Sequence, residues 1–173
     1  MTLATANATQ PISIYPAITA QDMAAACALM IEYRDTSLGE DYDVGGNSLN
    51  EELAQFPGPY APPRGLLFLA SDRNTPPCGC LALRPIGEAI GEVMRMYVQP
   101  AARGQGIAEA LMRRIIIEAR ALGYHTLYLD SLKRFEVAHK LYEKCGFTYC
   151  APYDPLTTDA MKDRMIFMRL TLT

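Results

Sequence analysis

The stretch Val98-Gln-Pro-Ala-Ala-Arg103-Gly104-Gln105-Gly106-Ile107-Ala108 holds the residues best suited to gripping a phosphate-bearing ligand. It follows an apolar, strand-like run, Val93 to Val98, and opens an amphipathic, helix-like run, Ile107 to Leu122. A glycine-bearing loop between a strand and a helix N-terminus leaves backbone N–H groups unpaired, and the positive end of the helix dipole reinforces them. Gly104 and Gly106 let the backbone approach a ligand with no Cβ in the way, and Arg103 adds a permanent positive charge. The stretch therefore reads as a pyrophosphate cradle formed by Arg103, Gly104, Gln105, Gly106, Ile107 and Ala108. It is not a P-loop, because Ile107 and Ala108 stand where Lys and Ser or Thr would follow the last glycine. Nor is it a dinucleotide fingerprint, since Gly104-Gln-Gly106 is followed by Ile, Ala and Glu.

The elements that must position this loop follow from periodicity and caps. Ser13 to Tyr15 reads as a strand, and Thr19-x-x-Asp22 caps a helix running to about Glu32. Asp35 to Asn47 reads as a loop, and Ser48-x-x-Glu51 opens a short helix that ends before Pro57-Gly58-Pro59. Gly65 to Ser71 and Cys78 to Leu83 are strands joined by a Pro-rich turn, and Glu92 to Val98 is the strand before the cradle. The main helix has Ile107, Leu111, Ile115 and Ala119 on one side, with Gly123 as its C-terminal cap. Thr126 to Asp130 is a strand, Glu136 to Lys144 a helix stopped by Gly146, and Tyr149 to Ala151 and Arg164 to Leu170 complete the strands. The alternation specifies an α/β sandwich around one mixed sheet.

A chain of 173 residues is long enough for a full core and suits one domain, expected at residues 11–173 behind a small, polar, flexible tail at residues 1–10. The net charge of −3 gives no electrostatic support to a nucleic-acid partner. No apolar run approaches the length of a membrane span, and the tail lacks signal-peptide features, so the chain is expected to be cytoplasmic with no membrane partner. The cysteines, Cys27, Cys78, Cys80, Cys145 and Cys150, are odd in number and scattered, which argues against a disulfide framework. Cys78 and Cys80 are expected to share one strand face. His125 and His139 have no ligand spacing to them, so no metal site is expected.

Arg103, Gly106 and Ala108 fill the fixed positions of motif A of the GNAT acetyltransferases, Gln/Arg-x-x-Gly-x-Gly/Ala, with Val98 and Pro100 at the usual offsets. Ala138-x-x-x-Tyr142-Glu-Lys-Cys-Gly146-Phe147 resembles that family's motif B, Ala-x-x-Leu-Tyr-x-x-x-Gly-Phe. Tyr60-Ala-Pro-Pro-Arg-Gly65 and Leu129-Asp130 are similar to a bacterial subgroup of small acetyltransferases. The resemblance covers residues 12 to 171. One position departs: Phe135 stands where many members carry an Asn that bonds to CoA.

The resemblance implies the GNAT fold, a mostly antiparallel sheet of about six or seven strands flanked by about four helices. It also implies acetyl-CoA as co-substrate, and acetyl transfer to a primary amine of a small or amino-acid-like acceptor by direct attack in a ternary complex. Protein or peptide acetylation, or a CoA-binding regulatory module without catalysis, are the alternatives, and a homodimer is left open. Acetyl transfer must place the thioester, and effective molarity supplies roughly 7–11 kcal/mol of such barriers. In this family the strand before motif A bulges, so backbone groups of Met96, Tyr97 and Val98 are expected to pair with the pantetheine arm and polarise the thioester. Tyr142 takes the position of the tyrosine that protonates the leaving thiolate. Glu92, six residues before Val98, takes the offset of the glutamate base of the histone-acetyltransferase branch. Alternation puts Glu92, Met94 and Met96 on one face unless the bulge changes phase. A chain of waters is the alternative base.

The acceptor in such a fold lies between the loop of the early helices and the last hairpin. Tyr33, Glu40, Asp41 and Tyr42 stand on one side and Tyr153 and Asp154 on the other. Acids there would favour a cationic amine, whereas Arg84 and Arg95 would instead hold a substrate carboxylate.

Overall fold

The structure is a computed structural model that describes residues 11–39, 49–72 and 75–172. Tyr42, Glu40, Asp41, Ser48 and the tail at residues 1–10 lie outside the described residues. The order is β1 (Ser13–Pro16), α1 (Ala20–Tyr33), α2 (Leu49–Ala54), β2 (Leu66–Ser71), β3 (Gly79–Pro85), β4 (Ile90–Val98), α3 (Ile107–Ala121), β5 (Thr126–Leu132), α4 (Glu136–Lys144), β6 (Thr148–Tyr149), α5 (Asp159–Arg164) and β7 (Met165–Thr171). The strands form one open seven-stranded sheet in the order β1-β2-β3-β4-β5-β7-β6.

Local signals and structure agree where a cap or a stop is unambiguous. The hydroxyl of Thr19 accepts from the Asp22 amide at 3.1 Å, and the Asp22 carboxylate accepts from the Thr19 amide at 2.8 Å. This reciprocal box starts α1. Gly123 and Gly146, at φ 81° and 95°, close α3 and α4 in the left-handed region. Three boundaries differ from the sequence reading. Residues Arg34–Leu38 form a π-helical turn that prolongs α1 into the stretch from Asp35 expected to be a loop. Strand β6 is only Thr148–Tyr149, and β7 begins at Met165 because α5, capped by Thr158, takes up Arg164. Helix α5 went unread because its N3 residue is Met161 rather than an acid.

The sheet separates two main packing layers. Ile107, Leu111, Met112, Ile115 and Ala119 of α3 are buried with Leu81, Leu83, Val93 and Leu127 on one face. Full burial of such aliphatic side chains is worth about 1.5–3 kcal/mol each. Ala26, Leu29 and Met30 of α1 pack with Leu67, Leu69, Cys80 and Ala82 on the other. Cys78 does not share a face with Cys80: it precedes β3, outside the alternation, and packs on the α3 side.

The feature that matters most for function is where the sheet opens. Pairings are antiparallel except between β4 and β5, whose parallel ladder covers only Ile90–Glu92 against Thr126–Tyr128. Beyond Glu92 and Tyr128 the two strands diverge. A bulge in β4 accompanies the fork: Cys80 faces Tyr97 and Ala82 faces Met94, so Arg95 and Met96 together stand against Leu81. Arg95 has φ 58°, a left-handed conformation that costs a non-glycine residue about 1–3 kcal/mol. Two carboxylate oxygens of Glu52 compensate, held by Arg95 Nε at 3.0 and 3.2 Å and Nη2 at 2.5 Å. The bulge also changes phase. Met94 and Tyr97 pack on the α1 side, whereas Met96 and Val98 pack on the α3 side. Met96 therefore does not share the face of Met94, as unbroken alternation would have required.

Candidate active site

One cavity of about 960 Å³ follows the fork from the glycine loop at one end to Tyr33, Leu132 and Phe135 at the other. Its size is that of a site for a coenzyme-sized ligand. At the loop end, Gly104 and Gly106 have φ 75° and 76°, and a Cβ added to either would meet no protein atom within 4 Å. Both glycines are therefore required by backbone conformation and border open space. Gly106 caps α3 with no side-chain hydrogen bond, leaving the first-turn amides for a ligand. Arg103 donates from Nε to the Val98 carbonyl at 3.0 Å, which ties the loop to the end of β4 and fixes the guanidinium beside it. This arrangement fits the pyrophosphate of acetyl-CoA.

Val93, Met94, Arg95, Met96, Tyr97 and Val98 line the β4 wall, and Leu129 to Leu132 line the β5 wall. Past Glu92 the edge of β4 has no ladder to β5, so its backbone groups border the cavity. Tyr97 also donates from its hydroxyl to Glu32 Oε1 at 2.9 Å, and Gln99 donates to Oε2 at 2.8 Å.

Tyr142 projects from α4 into the wall and is 7% exposed. Burial raises its phenol above the ordinary value, and the nearby Tyr33 and Asp130 add to the rise, while a side-chain hydrogen bond from Ser131 works against them. The phenol is thus protonated at neutral pH. The same dry surroundings would raise the basicity of a thiolate formed there, so burial does not by itself disfavour proton transfer from Tyr142.

Glu92 is 3% exposed but does not line the cavity. Its Oε2 accepts from Arg84 Nε at 2.6 Å and its Oε1 from the Tyr153 hydroxyl at 2.6 Å. Arg84 is therefore engaged by Glu92, and Arg95, which does reach the cavity, is engaged by Glu52. Neither guanidinium is placed as an open carboxylate clamp. Tyr33 faces the cavity, packs on Tyr97 with ring centroids 5.5 Å apart, and has its phenol pushed up to about 12 by burial. Tyr153 stands behind the wall, stacked on Tyr128 at 4.5 Å. His139 is a core residue whose Nε2 lies 3.1 Å from the Leu132 carbonyl. No cluster of His, Cys, Asp and Glu able to hold a metal occurs among the described residues.

The sequence reading did not single out Asp130 as a site residue. It lines the cavity from β5, just beyond the fork. Burial and the neighbouring Glu92 push its carboxyl up to about 6, against the pull of Arg95 and Arg84 and with a further push from Asp154. Strand alternation alone puts Asp130 on one of two faces; that this face borders a cavity depends on the fork.

Residues 29–147 match the acetyltransferase (GNAT) family, and the chain belongs to that family. It is an acetyl-CoA-dependent acyltransferase. An uncharacterized N-acetyltransferase of Schizosaccharomyces pombe is 31% identical over 134 residues, covering 76% of this chain and 78% of that protein. An IAA acetyltransferase of Azospirillum brasilense is 35% identical over 137 residues, covering 79% and 86%. The fold matches a crystal structure of a GNAT acetyltransferase from Staphylococcus aureus with a TM-score of 0.75 at 16% identity, over 94% of this chain and 100% of that one. No helix among the described residues is long and apolar enough to cross a membrane.

Proposed function

We propose that the protein transfers the acetyl group of acetyl-CoA to the primary amine of a small or amino-acid-like acceptor, by direct attack within a ternary complex. The carrying observation is that the glycine cradle, the open edge of β4 and Tyr142 border one continuous cavity. Arg103, Gly104, Gln105, Gly106, Ile107 and Ala108 hold the pyrophosphate in this reading. Backbone groups at Met96, Tyr97 and Val98 take the pantetheine arm and polarise the thioester carbonyl. Tyr142 gives its proton to the departing thiolate.

Arg134 braces the far end of the cavity. Arg134 donates to the carbonyls of Ser37 and Leu38 at 3.0 Å, tying the π-helical turn to the start of α4. Its guanidinium also covers the Phe135 ring, 4.6 Å from the ring centroid. The relative named as an IAA acetyltransferase supports a small acceptor. The test is CoA release, followed with a thiol reagent across a panel of amines, alongside calorimetric binding of acetyl-CoA. Turnover with small amines supports the reading; binding without turnover on any amine or peptide overturns it in favour of a regulatory module.

A further inference from the structure

We propose that Asp130 is the proton acceptor of the reaction: its carboxylate receives the acceptor's ammonium group and removes the proton that must leave before nitrogen attacks. The inference rests on the amine-acetylation reading above and assigns it a base.

The acids around the fork differ in how they are partnered. Glu92 takes donors from Arg84 and Tyr153, Glu52 from Arg95 and Tyr60, and Glu32 from Tyr97 and Gln99. At the cradle end, Glu109 is held by Arg113 and Lys144, and Glu136 is exposed on the first turn of α4. Asp130 is half-buried on the cavity wall, and no hydrogen bond reaches its carboxylate among the described residues. Leaving a shielded carboxylate without donors is costly. An ammonium group entering the cavity would supply them.

Position supports the same role. Asp130 is two residues beyond Tyr128, the last β5 partner of β4, and shares the cavity with Met94, Arg95 and Tyr142. It thus borders the opening through which the β4 edge and Tyr142 would meet the thioester. The charged and titratable groups facing it are Glu92 and Arg95 from β4, Arg84 from β3, Asp154 from the loop after β6, and the phenols of Tyr33, Tyr142 and Tyr153. With Asp130 ionised, the set Glu92, Glu52, Asp130, Arg84 and Arg95 carries one excess negative charge, which suits a cation. A carboxyl titrating at about 6 is ionised at neutral pH, yet about a hundredfold better as a base than one at its ordinary value of 3.8.

The step balances as follows. Asp130 takes one proton from R–NH3+, and the free amine forms a C–N bond to the acetyl carbon. The C–S bond breaks, and the thiolate takes the Tyr142 proton. The second nitrogen-bound proton returns to Tyr142, and Asp130 releases its proton to solvent, leaving the amide, CoA–SH and one proton.

The experiment compares wild type, Asp130→Asn and Asp130→Glu, using an amine identified with wild type. It measures kcat/KM from pH 5 to 10, acetyl-CoA affinity by calorimetry, and the carboxyl titration of aspartate-labelled wild type by 13C NMR. The wild-type profile should fall on the acid side near the pH at which Asp130 titrates. Asp130→Asn should bind acetyl-CoA within about twofold of wild type but lose roughly 10²–10³ in kcat/KM at pH 7, converging on wild type near the amine's own pKa. Asp130→Glu should recover at least about tenfold over Asn. A pH-independent defect, or an acid limb that survives in Asp130→Asn, overturns the assignment while leaving amine acetylation standing. An Asp130 carboxyl that titrates below about 4.5 also overturns it, whether or not the Asn variant folds. If wild type binds acetyl-CoA but acetylates no amine, the amine reading fails, and the base falls with it.

Discussion

Tyr153 donates its hydroxyl to Glu92 Oε1 at 2.6 Å, reaching from the segment after β6 to a strand on the far side of the fork. Arg84 occupies the other oxygen of the same carboxylate at 2.6 Å. Glu92 is therefore a brace between β3, β4 and the segment that carries Tyr153, and it also sets part of the field felt by Asp130. Glu92→Gln keeps the Tyr153 bond but leaves the half-buried Arg84 without its counter-charge. Breaking such a pair costs about 3–5 kcal/mol, roughly 6–20 °C in Tm for a chain of this size. Loss of the Glu92 charge should also move the acid limb of kcat/KM to lower pH, because that charge raises the Asp130 carboxyl. Thermal denaturation and a pH–rate profile check both; an acid limb that disappears in Glu92→Gln would make Glu92 the base.

Tyr142→Phe should lower kcat by roughly 10²–10⁴ and leave acetyl-CoA affinity nearly unchanged. The hydroxyl is needed when the C–S bond breaks and hardly before, so its loss belongs to the transition state. The ring is packed 6.3 Å from Phe147 and is kept by Phe, so the fold should hold. Single-turnover kinetics separates this from slow product release; a loss below tenfold in the chemical step counts against the acid role.

Gly106→Glu should abolish acetyl-CoA binding, whereas Arg103→Ala should weaken it more gently. At φ 76° a side chain is strained, and its Cβ would point into open space at the head of α3, where the carboxylate would repel a pyrophosphate. Calorimetry decides, and unchanged affinity in Gly106→Glu would remove the cradle assignment.

The elements of this fold were legible wherever a local signal carried them. The Thr19 box, the α3 stripe and the glycine stops at 123 and 146 each depend on neighbours within a few residues. So does the cradle, a strand end, two glycines and a helix start. What could not be read depends on non-local packing. The phase change at Arg95 required knowing that Glu52, forty-three residues earlier, would hold a guanidinium in a left-handed turn. The partners of Arg84, Glu92 and Tyr153 likewise lie on different elements. Asp130 was visible only as part of a short resemblance, because its exposure to a cavity is a property of two strands parting.

The raised carboxyl of Asp130 has a consequence for stability that is independent of turnover. Its value of about 6 in the folded chain lies above the ordinary 3.8, so between those values the folded state binds more protons than the unfolded one. Stability from this group therefore falls as pH rises through that window. Below about pH 4 both states are protonated and Asp130 costs nothing; above about pH 6 the full penalty is present. Asp130→Asn removes the ionisable group, so its Tm relative to wild type should rise by a few degrees at pH 7.5, on the order of 1–3 kcal/mol. At pH 4 the two Tm values should lie closer together. Calorimetric scans of both proteins at the two pH values measure the difference, and a variant less stable than wild type at pH 7.5 would mean that the Asp130 carboxylate is held by favourable contacts in the folded chain.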